Sequence, residues 1–310
     1  MASRAEELGY GGVWVADSHS VMRGAYEILA VIAARTTSLS LATGVTHTVT
    51  RHPAALANSW ATLQELSGGR AVCGIGVGES SVRNLGLRPE KLAVFEDKIR
   101  VIRALLRGGP VEYQGHEMQM AWSHAEVPIF MACSGPKSLQ LGGRIADGVL
   151  FQVGADPRLA QYALDNIKKG AEEAGRNFED IRLYMRVATA VSDDVEAARR
   201  EIEGYATVAA NTVYRTVPRD YFDDQLYEEL ARLMSEYDYR EHASNTSRHR
   251  EFLTDRILDA IGIACSPDDA VQRFQALADL GVEGFVWPAN MAEPHTYVET
   301  FAEKIIPNIK

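Results

Sequence analysis

The sequence predicts an α/β fold of the (β/α)8 barrel (TIM barrel) type with insertions, and two features support that prediction. Short apolar segments typical of buried strands alternate with amphipathic segments typical of helices along most of the 310 residues. Polar residues follow several of these strands, and parallel strands joined by helices end at one face. A doubly wound open sheet fits the same alternation and stays open as the alternative.

The alternation contains seven apolar strand segments. They lie near residues 13, 39, 71, 127, 148, 181 and 282. A barrel of this type has eight parallel strands, and this chain opens in a helix whose natural predecessor is a strand. We therefore expect the first strand to be missing from this chain, through an N-terminal truncation or a start set too late.

Helices and irregular segments fill the intervals between the strands. The expected helices lie at 26–36, 53–66, 91–107, 138–146, 157–175 and 294–310, with a further one after the capping residues 192–194 and one from 266. Residues 111–126 predict a surface hairpin, and residues 204–262 lose the strand pattern. We expect one domain over residues 1–310, with a helical insertion at about 204–262.

Composition excludes several classes of protein. Hydrophobic residues make up 46% of the chain, which is ordinary for a globular protein, and the net charge of -10 argues against nucleic-acid binding. No segment approaches the roughly 18 apolar residues of a membrane span, and an export signal is absent. The three cysteines and the histidines lack metal-ligand spacing. We predict a soluble cytoplasmic protein with no metal, no membrane partner and a small-molecule substrate.

Five segments resemble the bacterial luciferase-like superfamily of flavin- and deazaflavin-dependent oxidoreductases, in the order that the family uses. They are AEELGYGGVWVADS at 5–18, TGVTHTVTRHP at 43–53, GRAVCGIGVGES at 69–80, SGPKSLQLGGRIADGVLF at 134–151 and SPDDAVQRFQALADLGVEGFV at 266–286. The most similar members are of the methylenetetrahydromethanopterin reductase type, which use coenzyme F420. The resemblance implies a TIM barrel and hydride transfer between F420 and an organic substrate, and we expect a homodimer or larger homo-oligomer.

Two alternatives to this function stay open. The first keeps the fold but binds reduced FMN, supplied by a separate flavin reductase, and inserts an oxygen atom into the substrate. The two coenzymes differ at ring position 5, where carbon cannot form the oxygen adduct that nitrogen supports. The second alternative is a non-catalytic flavin-binding member, which the missing first strand favours.

Residues 134–138 follow a strand directly and open a helix, a pattern that suits a phosphate group. Gly135 permits close approach of the backbone, the helix N-terminus offers free N–H groups, and Lys137 adds a positive charge. A plain strand-to-helix turn with a solvated lysine is the alternative. The residues assigned to this phosphate site, two of them after the next strand, are Ser134, Gly135, Pro136, Lys137, Gly154 and Ala155.

The resemblance also implies a pocket for the coenzyme ring. It places a non-proline cis peptide bond between Gly44 and Val45, where the backbone presses a bulge against a ligand ring. The alternative is that Gly44 merely ends a strand. The other positions assigned to coenzyme binding are Asp17, Thr43, Gly76 and Gly78.

Three residues are candidates for the chemistry. Glu79 closes the glycine-rich strand end, and the family's deazaflavin sugar-phosphate dehydrogenases use a glutamate there for proton transfer; a capping glutamate is the alternative. Many relatives carry Asp-His where this chain has Asp17 and Ser18, with His19 one residue later. Since a one-residue offset turns a side chain away, we expect Ser18 to hydrogen-bond to the coenzyme and His47 to substitute as the acid–base group.

The loop that follows His47 carries two further polar residues. Arg51 and His52 stand directly before the helix predicted at 53–66. We expect them to anchor the loop to that helix through caps and ion pairs.

Overall fold

A computed structural model of the chain describes residues 1–238, 247–288 and 293–309. Residues 239–246 of the predicted helical insertion lie outside the described residues. The chain divides into two compact units, and each is described by itself. The first unit comprises Met1–Ala132 and Ala146–Gly148, and the second comprises Cys133–Ile145 and Val149–Lys310.

The first unit alternates strands with helices. Its helices are α1 (Ala2–Glu7), α2 (Ala25–Ala33), α3 (Pro53–Ser67), α4 (Ser80–Arg83) and α5 (Leu92–Leu106). Its strands are β1 (Gly12–Val15), β2 (Ser40–Thr43), β3 (Thr46–His47), β4 (Ala71–Gly76), β5 (Val111–Tyr113), β6 (His116–Met118) and most of β7 (Ile129–Cys133). β2 lies in parallel register between β1 and β4, and β4 also pairs with β3 and β7. The antiparallel pair β5–β6 confirms the predicted hairpin.

α3 shows how the local sequence sets these elements. The His52 side chain accepts a hydrogen bond from the Ala54 N–H at the N-terminus, and Pro53 takes the first helical position. Gly68 ends the helix in the left-handed conformation, with φ of 66°. Trp60 and Leu56 on its inner face are fully buried, so α3 is fixed at both ends and along one side.

The second unit is richer in helix. Its helices are α6 (Pro136–Ile145), α7 (Pro157–Glu173), α8 (Val195–Thr216), α9 (Asp224–Ser235), α10 (Asp255–Ile261), α11 (Pro267–Ala278) and α12 (Pro294–Thr300). Its strands are most of β8 (Gly148–Phe151), β9 (Arg182–Arg186), β10 (Ala188–Val191), β11 (Gly262–Cys265) and β12 (Gly284–Val286). β12 pairs with β9 and β11 with β10, both in parallel.

α6 and α7 pack in close contact through two glycines. A Cβ on Gly143 would lie 2.0 Å from the Ile167 carbonyl oxygen, and one on Gly170 would lie 1.9 Å from the Gln140 carbonyl oxygen. Any side chain at either position would push the helices apart.

The main sheet has the strand order β1-β2-β4-β7-β8-β9-β12, with β3 beside β4, which makes eight strands. Parallel strands in this order, alternating with helices, confirm the predicted TIM-type barrel architecture. Among the described residues, no helix combines the length and the apolar character that a membrane crossing requires.

Two details of the predicted strands were wrong. The segment at 181–191 forms two strands rather than one, since Val187 separates β9 from β10 and donates its N–H to Val286. β11 was not predicted at all, because its four apolar residues follow the buried end of α10 directly and carry no period of their own.

Candidate functional site

Asp17 follows β1 and is buried, with both carboxylate oxygens occupied. Arg51 donates to Oδ1 through Nη2 at 3.2 Å and to Oδ2 through Nη1. Thr46 in β3 donates its hydroxyl to Oδ2 at 2.6 Å. The residues that follow β1 and β2 are therefore locked together in the first unit, as expected for parallel neighbours.

Tyr26 at the start of α2 completes this group, called here the Asp17 network (Asp17, Tyr26, Thr46 and Arg51). Its hydroxyl donates to Thr46 Oγ1 at 3.3 Å, and the Arg51 guanidinium lies 5.0 Å from the centre of its ring. Burial raises the pKa of Tyr26, so the phenol stays a neutral donor. Arg51, expected to anchor the loop to α3, forms its ion pair with Asp17 instead, whereas His52 does cap α3.

His47 lies directly after Thr46 and is only 1% exposed. Its Nδ1 accepts a hydrogen bond from the Val49 N–H at 3.3 Å, which places the proton of the neutral ring on Nε2. Burial lowers the pKa of His47; Asp17 opposes this, while His19 and Arg51 add to it. Nε2 is buried and has no hydrogen-bond partner among the described residues. The result is a neutral imidazole with one unused donor.

His19 lies beside His47 despite its one-residue offset. The two ring centres are 5.5 Å apart, and His19 Nε2 is 3.3 Å from Thr50 Oγ1. Ser18 is partly exposed, and its carbonyl accepts the N–H groups of Val21 and Met22 in a turn. The expectation that the offset turns the histidine away from this region was therefore wrong, because the turn after Ser18 brings the ring back.

The peptide bond between Gly44 and Val45 is cis, as the resemblance implied. Thr43 is fully buried and donates its hydroxyl to the Gly74 carbonyl, so its side chain joins β2 to β4. A Cβ on Gly76 would lie 3.3 Å from Val45 Cγ2, and one on Gly78 would lie 2.7 Å from Val82 Cγ1 and 3.5 Å from His47 Cβ. The two glycines therefore allow the backbone after β4 to pack closely beside Val45 and His47.

Glu79, the candidate for proton transfer, is paired with a neighbouring arginine and does not cap α4 through its side chain. Its side chain is 48% exposed and forms an ion pair with Arg83, Oε1 to Nε, at 2.7 Å. It stands at the N-cap position of α4, but its carboxylate makes no capping hydrogen bond. For proton transfer at this strand end, the Glu79 carboxylate has to leave its ion pair with Arg83 and contact a substrate instead.

A partly buried ion pair that sequence reasoning missed holds the loop after His47. Lys98 pairs with Glu90, and the two side chains are 14% and 18% exposed. Lys98 Nζ also donates to the Thr48 carbonyl at 3.0 Å. A lysine and a glutamate eight positions apart carry no sequence signal of pairing, since they flank the start of α5 rather than share a helix face.

In the second unit, the turn into α6 is organised by Ser138. Its hydroxyl donates to the Gly135 carbonyl at 2.9 Å and accepts the Ser134 N–H at 3.3 Å. The first N–H groups of α6 have no intrahelical partner, and Lys137 is exposed beside them. This end of α6 therefore offers backbone donors and a cation to an anionic group.

The loop after β8 contributes fewer donors than the sequence predicted. The N–H groups of Ala155 and Asp156 both donate to the Ala260 carbonyl, at 2.8 and 3.2 Å. Gly154 has φ of 95°, and a Cβ there would lie 2.7 Å from the same oxygen. Gly154 is thus required for contact with α10, and the Ala155 N–H is already in use.

Comparison with known proteins supports the family resemblance. Residues 1–284 match the family described as luciferase-like monooxygenase. The chain is 31% identical over 293 residues to a 5,10-methylenetetrahydromethanopterin reductase of Methanolobus tindarius, covering 92% of this chain and 87% of that protein. It is 27% identical over 330 residues to an F420-dependent glucose-6-phosphate dehydrogenase of Nakamurella multipartita, covering 100% and 91% of the two chains.

A solved structure shares the fold. The coenzyme F420 dependent tetrahydromethanopterin reductase from Methanopyrus kandleri superimposes with a TM-score of 0.81 at 24% identity. The match covers 100% of this chain and 95% of that one. At this identity the likeness is one of fold, in agreement with the strand order above.

Proposed function

Because the chain belongs to the luciferase-like monooxygenase family, we propose that this enzyme transfers hydride between coenzyme F420 and a small organic substrate. One observation carries the proposal. Similarity to an F420-dependent dehydrogenase extends over 100% of this chain and 91% of that relative, so it includes every segment that holds a candidate site residue. Bound F420 would supply the two-electron chemistry as a hydride carrier, and the chain would supply binding, orientation and proton transfer.

His47 is the residue of the first unit that we assign to contact with the coenzyme. A buried N–H without an acceptor costs about 1–3 kcal/mol, and an acceptor atom on a ligand would remove that cost. Nε2 is such a donor, and its lowered pKa keeps the ring neutral near pH 7. The Asp17 network holds Thr46, the preceding residue, and so fixes the backbone that carries His47.

We assign Val45, Gly76 and Gly78 to the wall of the ring site. The two glycines let the backbone pack closely beside Val45 and His47, since a Cβ on Gly76 would meet Val45 Cγ2 and one on Gly78 would meet Val82 Cγ1. The side-chain polar atoms of Asp17 and Thr43 are occupied by Arg51, Thr46 and Gly74. These two residues therefore contribute to the site by holding its backbone in place. Ser18 and Glu79 remain the proposed polar contacts to coenzyme and substrate.

In the second unit, we assign the N-terminus of α6 to an anionic group of the coenzyme. The helix is ten residues long, and Lys137 stands in its first turn. Ser134 and Gly135 lead into it, and Pro136 takes its first position. A phosphate would accept backbone hydrogen bonds and a charge from Lys137.

The family description favours a second candidate function. Luciferase-like monooxygenases insert oxygen, and that reading requires reduced FMN from a separate flavin reductase in place of F420. The two functions call for different coenzymes in the same ring-binding region.

Equilibrium titration with F420 and with FMN, each oxidised and reduced, tests the proposal. We expect saturable binding of F420 that is at least about tenfold tighter than that of FMN, a difference of about 1.4 kcal/mol. Tight binding of FMN without binding of F420 would replace the proposed function with the monooxygenase.

A pair of lysine variants tests the phosphate assignment. Lys137→Met should weaken F420 binding by about tenfold, through loss of a charged hydrogen bond. The matched change Lys169→Met, at an exposed lysine of α7, should leave it unaltered. A phosphate-free deazaflavin should bind both variants like the unaltered chain; an equal loss with that ligand would reject Lys137 as the phosphate contact.

A further inference from the structure

An open cleft of about 760 Å³ lies within the second unit. Its walls come from the starts of α7, α8 and α9, from α10 and β11, and from α11. Ligand sites of small organic molecules have volumes of roughly 300–1,000 Å³. The cleft is therefore large enough for a compound of that size, and the proposed F420 chemistry gives it no role.

Four arginines line the cleft, and three of them pair with carboxylates. The pairs are Arg158–Asp156 at 2.7 Å, Arg199–Asp259 at 2.9 Å and Arg256–Asp223 at 2.8 Å. Asp156 and Asp223 also cap the helices that follow them. These three arginines are thus already paired with aspartates of the cleft wall.

Arg273 of α11 is the exception. Its Nη2 donates a hydrogen bond to the Asp259 backbone carbonyl. Within the described ranges, Arg273 forms no ion pair with a carboxylate. Burial lowers the pKa of Arg273, with Cys265, Asp259 and Asp156 opposing the shift and Arg199 adding to it. A guanidinium has five N–H donors in a planar fork. Arg273 is a partly desolvated cation with most of that fork unused.

Part of the remaining lining is apolar, and this part limits the type of ligand. Val195, Leu226, Ala260 and Ala264 face the same cleft. Four aspartates in the wall balance the four arginines, which disfavours a multiply charged anion such as phosphate. A single negative charge on an apolar body matches both parts of the lining.

We propose that this cleft binds a small organic monocarboxylate, with the carboxylate on Arg273 and the hydrocarbon part against the apolar wall. A planar guanidinium fork matches a carboxylate with two parallel hydrogen bonds. Binding of this kind requires neither the coenzyme nor turnover, so its outcome is independent of the proposed function.

Isothermal titration of the full chain with hexanoate tests the proposal, with acetate and hexan-1-ol as matched probes. We expect one saturable hexanoate site, and weaker binding of acetate, which lacks the hydrocarbon, and of hexanol, which lacks the charge. Arg273→Met should weaken hexanoate binding by about tenfold or more. Arg107→Met, at an exposed arginine outside the cleft, should have no effect.

A second variant fills the cleft with a bulky side chain, and it tests the proposal even if Arg273→Met folds poorly. Ala276 is exposed at the cleft wall, so Ala276→Trp should fill the space without disturbing the core. It should abolish hexanoate binding at an unchanged melting temperature. Hexanoate binding that survives Ala276→Trp, or that hexanol equals, overturns the proposal, as does a chain that binds no hexanoate.

Discussion

The Asp17 network and the Arg273 cleft both place arginines against aspartates, yet the two groups differ in exposure. In the Asp17–Arg51 pair the side chains are 4% and 24% exposed, whereas in the Asp223–Arg256 pair they are 41% and 44% exposed. Water screens the second pair and competes for its hydrogen bonds, so its net stabilisation is small. Loss of one partner from the first leaves a charge that water cannot reach easily. The first group fixes geometry, whereas in the second Arg273, which forms no ion pair within the described ranges, leaves a charge available to a ligand.

The same change from aspartate to asparagine, made once in each region, should give the largest difference in stability between them. Asp17→Asn should lower the free energy of unfolding by about 3 kcal/mol, because Arg51 keeps its charge without its partner. Asp156→Asn, at the cleft, should lower it by about 0.5 kcal/mol, since asparagine also caps a helix. Urea unfolding measures both values; equal losses would erase the distinction.

The Lys98–Glu90 pair extends the comparison to a second ion pair with low exposure to water. Lys98→Met should cost about 2 kcal/mol, because it leaves Glu90 partly buried and releases the Thr48 carbonyl. Arg158→Met, whose side chain is 65% exposed, should cost less than about 1 kcal/mol. Thermal unfolding of the two variants checks the order, and a larger loss for Arg158→Met would contradict it.

His47 should separate binding from stability. Asparagine at this position can still accept the Val49 N–H but has no donor at Nε2. His47→Asn should therefore weaken F420 binding by about tenfold and change the free energy of unfolding by only about 1 kcal/mol. His47→Gln, which carries an N–H group further out, should restore part of the affinity. Unaltered F420 binding by the asparagine variant would remove His47 from the site.

The pH dependence of stability gives the smallest effect. Since burial lowers the pKa of folded His47 below its ordinary 6.5, the unfolded chain takes up a proton first as the pH falls. The free energy of unfolding should decline below about pH 6.5, by at most about 1.4 kcal/mol per pH unit from this group, and be unaffected by it above about pH 7.5. His47→Asn should remove that component. Parallel slopes for the two proteins between pH 7.5 and 5 would rule out His47 as its source.

The sequence predicted some of the residues of the first unit that meet, but not how they pair. Because parallel strands end at one face, Thr46, His47, Arg51, His52 and Glu79 are expected to gather there. Thr46 and Arg51 do meet, at Asp17, and His47 directly follows Thr46. His52 caps α3 instead, and Glu79 pairs with Arg83. Arg51 pairs with Asp17 rather than with α3. This pairing depends on how far the arginine side chain reaches, which the spacing of residues in the sequence does not predict. The cis bond at Gly44–Val45 came from the family resemblance, since glycine at a strand end allows other outcomes.

The cleft of the second unit could not be predicted. Some of its ion pairs join residues far apart in sequence, such as Arg199 and Asp259, which are 60 positions apart. β11 lines this cleft, and its four residues are too few to show a hydrophobic period in the sequence. The single domain and the homo-oligomer stay predictions, and sedimentation would give the mass of the assembly.

We propose that His47 contacts bound F420 through its buried Nε2. NMR of chain labelled with 15N-histidine, with the His47 signal assigned by its loss in His47→Asn, measures this directly. Titration with F420 should shift the Nε2 resonance, saturate with the overall binding curve and leave Nδ1 nearly unmoved. A His47 signal that stays in place while F420 saturates, or that moves only with FMN, would contradict the account.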